Sequence, residues 1–154
     1  GPIVETDPEA FQKTVDVNIR GSFFMSAAGA RLMARGGGGA IVNVASVNAA
    51  IPALHQGIYS ITKAAIVSMT KAFAKECATD GVRVNALLPG ATDTRFAAAL
   101  IRNKAILDTV LAHVPMNRVA DPDEMAGAVL YLVSPAASYT TGACLTVDGG
   151  YLVA

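Results

Sequence analysis

An α/β protein built on a parallel sheet is the fold class this sequence predicts, and three observations predict it. Four helical stretches alternate with three short apolar runs, the pattern of strands joined by crossover helices. The first run, Ala40-Ile41-Val42-Asn43-Val44-Ala45, is near-continuous rather than alternating, as expected of a strand buried on both faces. Composition agrees: of 154 residues, 53% are hydrophobic and only 16% charged, against a usual charged share of about 25%.

Each element has a local cause. Asp7 is placed to cap the first helix, and Pro8 takes its first position, where a missing N–H costs nothing. Phe11, Val15, Ile19, Phe23, Ala27 and Ala30 follow at helical spacing to about Arg35, and the run Gly36 to Gly39 stops the helix. A second long helix begins near Gly57 and runs to about Ala78, with Gly81 placed to end it. Val82 to Leu88 reads as the next strand, cut by Pro89-Gly90. A weaker helical segment of mixed character follows from about Thr94 to His113. Asp121-Pro122-Asp123-Glu124 is a capping box with proline at N1, opening a helix that reaches about Val133 before Pro135. Ala143 to Val147 is the last strand, closed by Asp148-Gly149-Gly150. Repeats, linkers and a second domain are absent from this pattern.

The charge balance excludes several classes of function. Twelve Lys+Arg against twelve Asp+Glu give zero net charge, so no global field steers anionic partners, and a nucleic-acid binder relying on surplus charge is excluded. The uncharged stretch Ile41 to Thr62 contains Asn, Ser, Pro, His and Gln, so no membrane span or membrane partner is expected. With no signal-peptide pattern at Gly1-Pro2-Ile3, a cytoplasmic location is expected. Cys77 and Cys144 lack metal spacing, make no disulfide framework and read as small buried hydrophobes; no metal is expected. Met33, Met69, Met116 and Met125 read as packing residues. The chain is nonetheless very apolar for its size, as if part of its surface were covered.

One constellation carries chemistry. Tyr59 and Lys63 sit four residues apart near the start of the second helix, on one face and about one turn apart. A phenol has a pKa of about 10; a nearby ammonium favours the phenolate and moves that value down, making the tyrosine a usable acid or base. Ser46 lies at the C-terminal end of a buried strand, where open α/β sheets bind ligands. Singly these are ordinary features: a Tyr/Lys pair on a helix surface, a serine in a turn, and Asn18 as a solvated helix residue.

Together they resemble the short-chain dehydrogenase/reductases over essentially the whole chain. Asn18 in Val17-Asn18-Ile19-Arg20-Gly21 matches the family's helix asparagine, and Ser46 after Ile41-Val42-Asn43-Val44-Ala45 its catalytic serine. Thirteen residues on, Tyr59-Ser60-Ile61-Thr62-Lys63 matches its Tyr-x-x-x-Lys signature. Val82-Arg83-Val84-Asn85 leading into Pro89-Gly90-Ala91-Thr92-Asp93-Thr94 is similar to its cofactor-contacting turn, and Thr141-Gly142 with Val147-Asp148-Gly149-Gly150 to its C-terminal signature.

The resemblance implies a Rossmann-like doubly wound sheet and NAD or NADP as cofactor. Tyr59 would exchange a proton with a carbonyl or alcohol oxygen while hydride passes to or from the nicotinamide. Ser46 would position that oxygen; Lys63 would lower the Tyr59 pKa and bond the nicotinamide ribose; Asn18 would hold a water relaying protons from Lys63. Pro89, Gly90, Thr92 and Thr94 would approach the nicotinamide, Gly90 because no Cβ blocks the way. Asn48, His55, Gln56 and Phe96 are candidate substrate contacts, and 94–115 corresponds to the family's substrate lid. The three-residue gap between Tyr59 and Lys63 fits the ketone/alcohol members, since the family's enoyl reductases use a longer one. Small residues along both long helices allow close helix-to-helix approach, and the resemblance implies that they pair into a homotetramer, with a dimer next.

The family's Gly-x-x-x-Gly-x-Gly loop, cofactor-selecting residue and Asn-Asn-Ala-Gly motif have no counterpart in this sequence. Gly36 to Gly39 is no substitute, because a phosphate loop follows a strand and opens a helix, whereas these glycines do the reverse and read as a flexible surface turn. Residues 1–154 are therefore expected to be a single partial domain, the C-terminal three-fifths of such a fold, of a parent cleaved, deleted or untraced at its start. Two readings stand beside the oxidoreductase: an inactive fragment acting only as an oligomerising module, and an epimerase or dehydratase on the same fold.

Overall fold

The computed structural model describes residues 1–154 apart from Phe96, Ala99, Leu100 and Arg102. Its sheet has three parallel strands in the order β1 (Gly39–Val44), β2 (Val82–Pro89), β3 (Cys144–Val147). The register pairs Gly39 with Val82 through Val44 with Leu87, and Ala86 with Cys144 through Pro89 with Val147. This is the open Rossmann-like sheet expected, with helices as crossovers.

Asp7 caps α1 (Pro8–Val15), its carboxylate accepting from the Ala10 N–H at 2.8 Å. The single long helix expected to Arg35 is interrupted: Asp16–Gly21 forms a π-helical turn before α2 (Ser22–Arg35) continues the rod. Asp16, Val17, Asn18 and Ile19 are weak helix formers. The widened turn lets neighbouring residues serve one interface, Ile19 packing on the core and Asn18 bonding Thr62.

The glycine run after α2 has a definite geometry. Gly37 is left-handed at φ 89°, and Gly38 N–H bonds Met33 C=O at 2.9 Å, the Schellman closure of a helix. A Cβ on Gly38 would lie 2.7 Å from the Gly81 carbonyl oxygen, so two turns pack backbone to backbone. The expected free surface turn is instead a packed joint.

α3 (Gly57–Cys77) crosses from β1 to β2. Along β2, Val82, Val84, Ala86 and Leu88 face α2 and α3, meeting Ala30 and Ala74 at one end and Ile66, Met69 and Ala45 at the other, with Phe73 touching both groups. Val82 and Val84 are fully buried, and each such side chain contributes about 1.5–3 kcal/mol. The opposite face of β2 carries two polar residues, Arg83 and Asn85, beside the buried Leu87. Arg83 caps the end of α5 (Ala126–Val133) by donating to the carbonyls of Leu132 at 2.8 Å and Ser134 at 3.2 Å. Asn85 donates to Thr140 C=O at 2.9 Å and accepts from Ala143 N–H at 3.0 Å, fixing the approach to β3.

Two expectations change. β1 is paired on one side only and is therefore half-buried rather than buried on both faces, with Val44 53% exposed. Its buried Asn43 is satisfied by Ser26 at 3.1 Å and Thr70 at 3.0 Å, tying α2, β1 and α3. Neither cysteine is the buried hydrophobe expected: Cys144 is exposed because β3 is the other outer strand, and Cys77, the last residue of α3, is half-buried. Between Thr94 and His113 the described residues include the helix α4 (Lys104–Leu111), capped by Asn103. The capping box at Asp121 opens a 3-10 turn, Pro122–Met125, that leads into α5.

Candidate active site

β1 leads directly into Ala45 and Ser46, and Val47–Ala49 forms one 3-10 turn capped by Ser46, whose Oγ accepts from Asn48 N–H at 3.2 Å. A hydroxyl carries one proton and two lone pairs, so that proton remains available. It serves the neighbour on α3: the Ser46 hydroxyl and the Tyr59 phenol are hydrogen-bonded.

Lys63 lies one turn along α3, its Nζ 5.4 Å from the centroid of the Tyr59 ring and donating to Val44 C=O at 2.9 Å. Ser46, Tyr59 and Lys63 thus converge at the C-terminal end of β1, as their sequence positions implied. Loss of hydration pushes the Tyr59 phenol above its usual value, and the Ser46 bond offsets part of that rise. Burial likewise pulls the Lys63 ammonium down. The expected lowering of Tyr59 by Lys63 is therefore corrected. Its charge is held by the Val44 carbonyl, and desolvation of the phenolate outweighs it.

Asn18 reaches this cluster indirectly. Its Nδ2 donates to Thr62 Oγ1 at 2.9 Å, and Thr62 Oγ1 donates to Tyr59 C=O at 2.7 Å. Asn48 and Gln56 bond each other at 2.8 Å beside Ser46, while His55 is exposed with a left-handed φ of 62°. Phe96 lies outside the described residues.

The Pro89-Gly90 turn ends β2 on the same edge of the sheet. A Cβ on Gly90 would lie 2.7 Å from Asp148 Cα, so packing of the chain's own backbone already requires glycine there. Thr92 Oγ1 donates to Gly90 C=O at 3.1 Å, and Thr94 Oγ1 accepts from Ala97 N–H at 3.3 Å; both side chains are bonded within their own loop. A cavity of about 80 Å³ beside this turn is lined by Ala91, Met116, Arg118, Glu124 and Asp148 among others, without Tyr59 or Ser46. Among the described residues no group of three or more His, Cys, Asp or Glu could hold a metal ion, and no helix is long and apolar enough to cross a membrane.

A family model described as enoyl-(acyl carrier protein) reductase, one of the short-chain dehydrogenase/reductase models, matches residues 1–152. The chain belongs to the short-chain dehydrogenase/reductase family. It is 43% identical over 152 residues to galactitol 2-dehydrogenase (L-tagatose-forming) of Cereibacter sphaeroides, covering 97% of this chain and 60% of that protein. It is 41% identical over 142 residues to 3alpha-hydroxysteroid dehydrogenase of Mediterraneibacter gnavus, covering 92% and 56%. A gluconate 5-dehydrogenase from Burkholderia cenocepacia, solved with NADP and tartrate, superposes with a TM-score of 0.98 at 32% identity, covering all of this chain and 60% of that one. The chain thus spans about three-fifths of the length of these short-chain dehydrogenase/reductases.

Thr62, Asn43, Asn85 and Arg83 are the contributors that reading the sequence for chemistry passed over. For Asn43, Arg83 and Asn85 the available signal was a polar residue inside an apolar strand, which must find partners when buried.

Proposed function

We propose that the protein carrying this chain is an NAD(P)-dependent oxidoreductase that transfers hydride between the nicotinamide and a carbonyl or secondary alcohol. The observation that carries this reading is the Ser46–Tyr59 hydrogen bond with Lys63 beside the ring. The donor set fits such a cofactor, because a phenol and an ammonium one turn apart can both bond ribose hydroxyls. The nicotinamide supplies or accepts the hydride when bound.

The residues supply the proton chemistry. A phenol raised by burial is protonated at neutral pH, the state needed to donate to a carbonyl oxygen. Ser46, exchanging its bond to Tyr59 for one to the same oxygen, orients and polarises it. Once Tyr59 has given up its proton, the Lys63 charge and the Ser46 hydroxyl stabilise the phenolate. Asn18 stands behind them, holding a water that returns protons from Lys63 to solvent.

In this reading Pro89, Gly90, Thr92 and Thr94 flank the nicotinamide, and Asn48, His55, Gln56 and Phe96 meet substrate beneath a lid formed by 94–115. The assembly is a homotetramer, with a dimer next, working in the cytoplasm on a small molecule. The test is a panel of sugars, polyols, steroids and 3-oxoacyl thioesters with each cofactor, followed by nicotinamide absorbance. Stoichiometric oxidation or reduction of NAD(P) supports the reading. Turnover without net change in absorbance overturns it in favour of an epimerase or dehydratase, and no turnover with either cofactor in favour of an inactive oligomerising module.

A further inference from the structure

We propose that Thr62 is the positioning residue that couples the π-helical turn at Asn18 to the first turn of α3 and thereby fixes Tyr59 against Ser46. Three observations converge on it. Thr62 is completely buried, yet its hydroxyl is fully used: it accepts from Asn18 Nδ2 at 2.9 Å and donates to the Tyr59 carbonyl at 2.7 Å. The Tyr59 carbonyl also belongs to the α3 ladder, whose i+4 donor is the Lys63 N–H, so one oxygen anchors both residues of the pair. The partner across the gap sits in the π turn Asp16–Gly21, a geometry rare in helices and frequent at functional sites.

The arrangement has a clear consequence. Without the Thr62 hydroxyl, Asn18 loses its acceptor and the Tyr59 carbonyl its second donor, so the start of α3 stays tied to β1 through Lys63 and Val44 but no longer to the π-helical turn. Among the described residues, the Lys63 ammonium lies beside the Tyr59 ring and the Ser46 hydroxyl bonds its phenol. Loosening the turn weakens the Ser46 bond, the contact that offsets the effect of burial on the phenol. The kinetic part of this proposal rests on the oxidoreductase reading above; the spectroscopic part does not.

The experiment compares Thr62→Val, which keeps the shape without the hydroxyl, with Thr62→Ser, which restores it. Ionisation of Tyr59 is followed by tyrosinate absorbance, as the difference from the same protein carrying Tyr59→Phe. Thr62→Val is expected to move the Tyr59 midpoint upward and lower kcat several-fold, up to about tenfold, the effect of one lost buried hydrogen bond. KM for substrate should change less than kcat, and Thr62→Ser should return both readouts toward the parent. A folded Thr62→Val protein with an unmoved Tyr59 midpoint overturns the proposal, as does failure of Thr62→Ser to rescue. If Thr62→Val does not fold, Asn18→Ala removes the donor instead and must shift the Tyr59 midpoint in the same direction. Should the parent show no cofactor-linked turnover, the oxidoreductase reading fails while the titration still decides the role of Thr62.

Discussion

Around the C-terminal end of β1 three pairs of polar side chains bond one another, whereas the turn directly beyond β2 bonds backbone and closes on itself. After β1, Ser46 meets Tyr59, Asn48 meets Gln56 and Asn18 meets Thr62. After β2, Thr92 returns to the Gly90 carbonyl, Gly90 packs on Asp148, and the Asp148 carboxylate accepts from the N–H groups of Gly150 and Leu152 at 2.8 and 2.9 Å. Both loops leave the same edge of the sheet, where open α/β folds place their ligands. The difference teaches which residues are free to act. Side-chain pairs around a half-buried phenol can exchange partners with a substrate, but a backbone closure cannot do so without unfolding its turn.

Tyr59→Phe is the sharpest way to break this comparison. It removes the proton donor while leaving the ring packed, so turnover should fall by about 10²–10⁴-fold, with unchanged thermal unfolding and largely retained cofactor binding. Near-normal turnover of this variant would end the distinction between a reactive loop and a structural one.

On the β2 side the cost should appear in stability instead. Asn85→Ala leaves the part-buried Ala143 N–H without its partner and the Thr140 carbonyl with only the 3.4 Å contact from Arg83, at about 1–3 kcal/mol for the unsatisfied group. Chemical denaturation should register that loss. Gly90→Ala forces its methyl against Asp148 and should cost about 1–3 kcal/mol as overpacking. If Gly90→Ala instead weakens NAD(P) binding with unchanged stability, glycine serves close approach of the ligand there, the role first inferred from the sequence.

The sequence made the helices, the parallel strands and the Ser46/Tyr59/Lys63 convergence legible because each depends on spacing along a regular element. Tyr59 and Lys63 face one way on any helix, and Ser46 follows directly from β1. The direction of the Tyr59 shift was not legible, since it balances burial against charge and both depend on how the pair packs on Val44. Nor was the π turn, whose extra residue is stabilised by the distant Thr62 rather than by local propensity. The packing that also requires glycine at Gly90 was not legible for the same reason: the atom that crowds it belongs to Asp148, far along the chain.

The smallest expected effect sharpens the β2 side and lies at the cavity beside the Pro89-Gly90 turn. Arg118 grips Glu124 through two bonds of 2.7 Å, and the Asp121 N–H adds a third at 2.9 Å. Together they hold the Glu124 carboxyl down to about 2 from an ordinary 4.5. A carboxyl lowered on folding adds stability that is fully present above its unfolded value and disappears as pH falls through its folded one. The pair is solvent-exposed, so the effect is small and screened by salt. Stability measured by denaturation should therefore fall as pH drops from about 4.5 to about 2, and Glu124→Gln should flatten part of that slope. Tyr59 should titrate unchanged in the Glu124→Gln protein, because the ion pair caps the turn into α5 and touches none of the groups around Ser46. A shifted Tyr59 midpoint would mean that the two loops are coupled, and the contrast between them would have to be redrawn as one site.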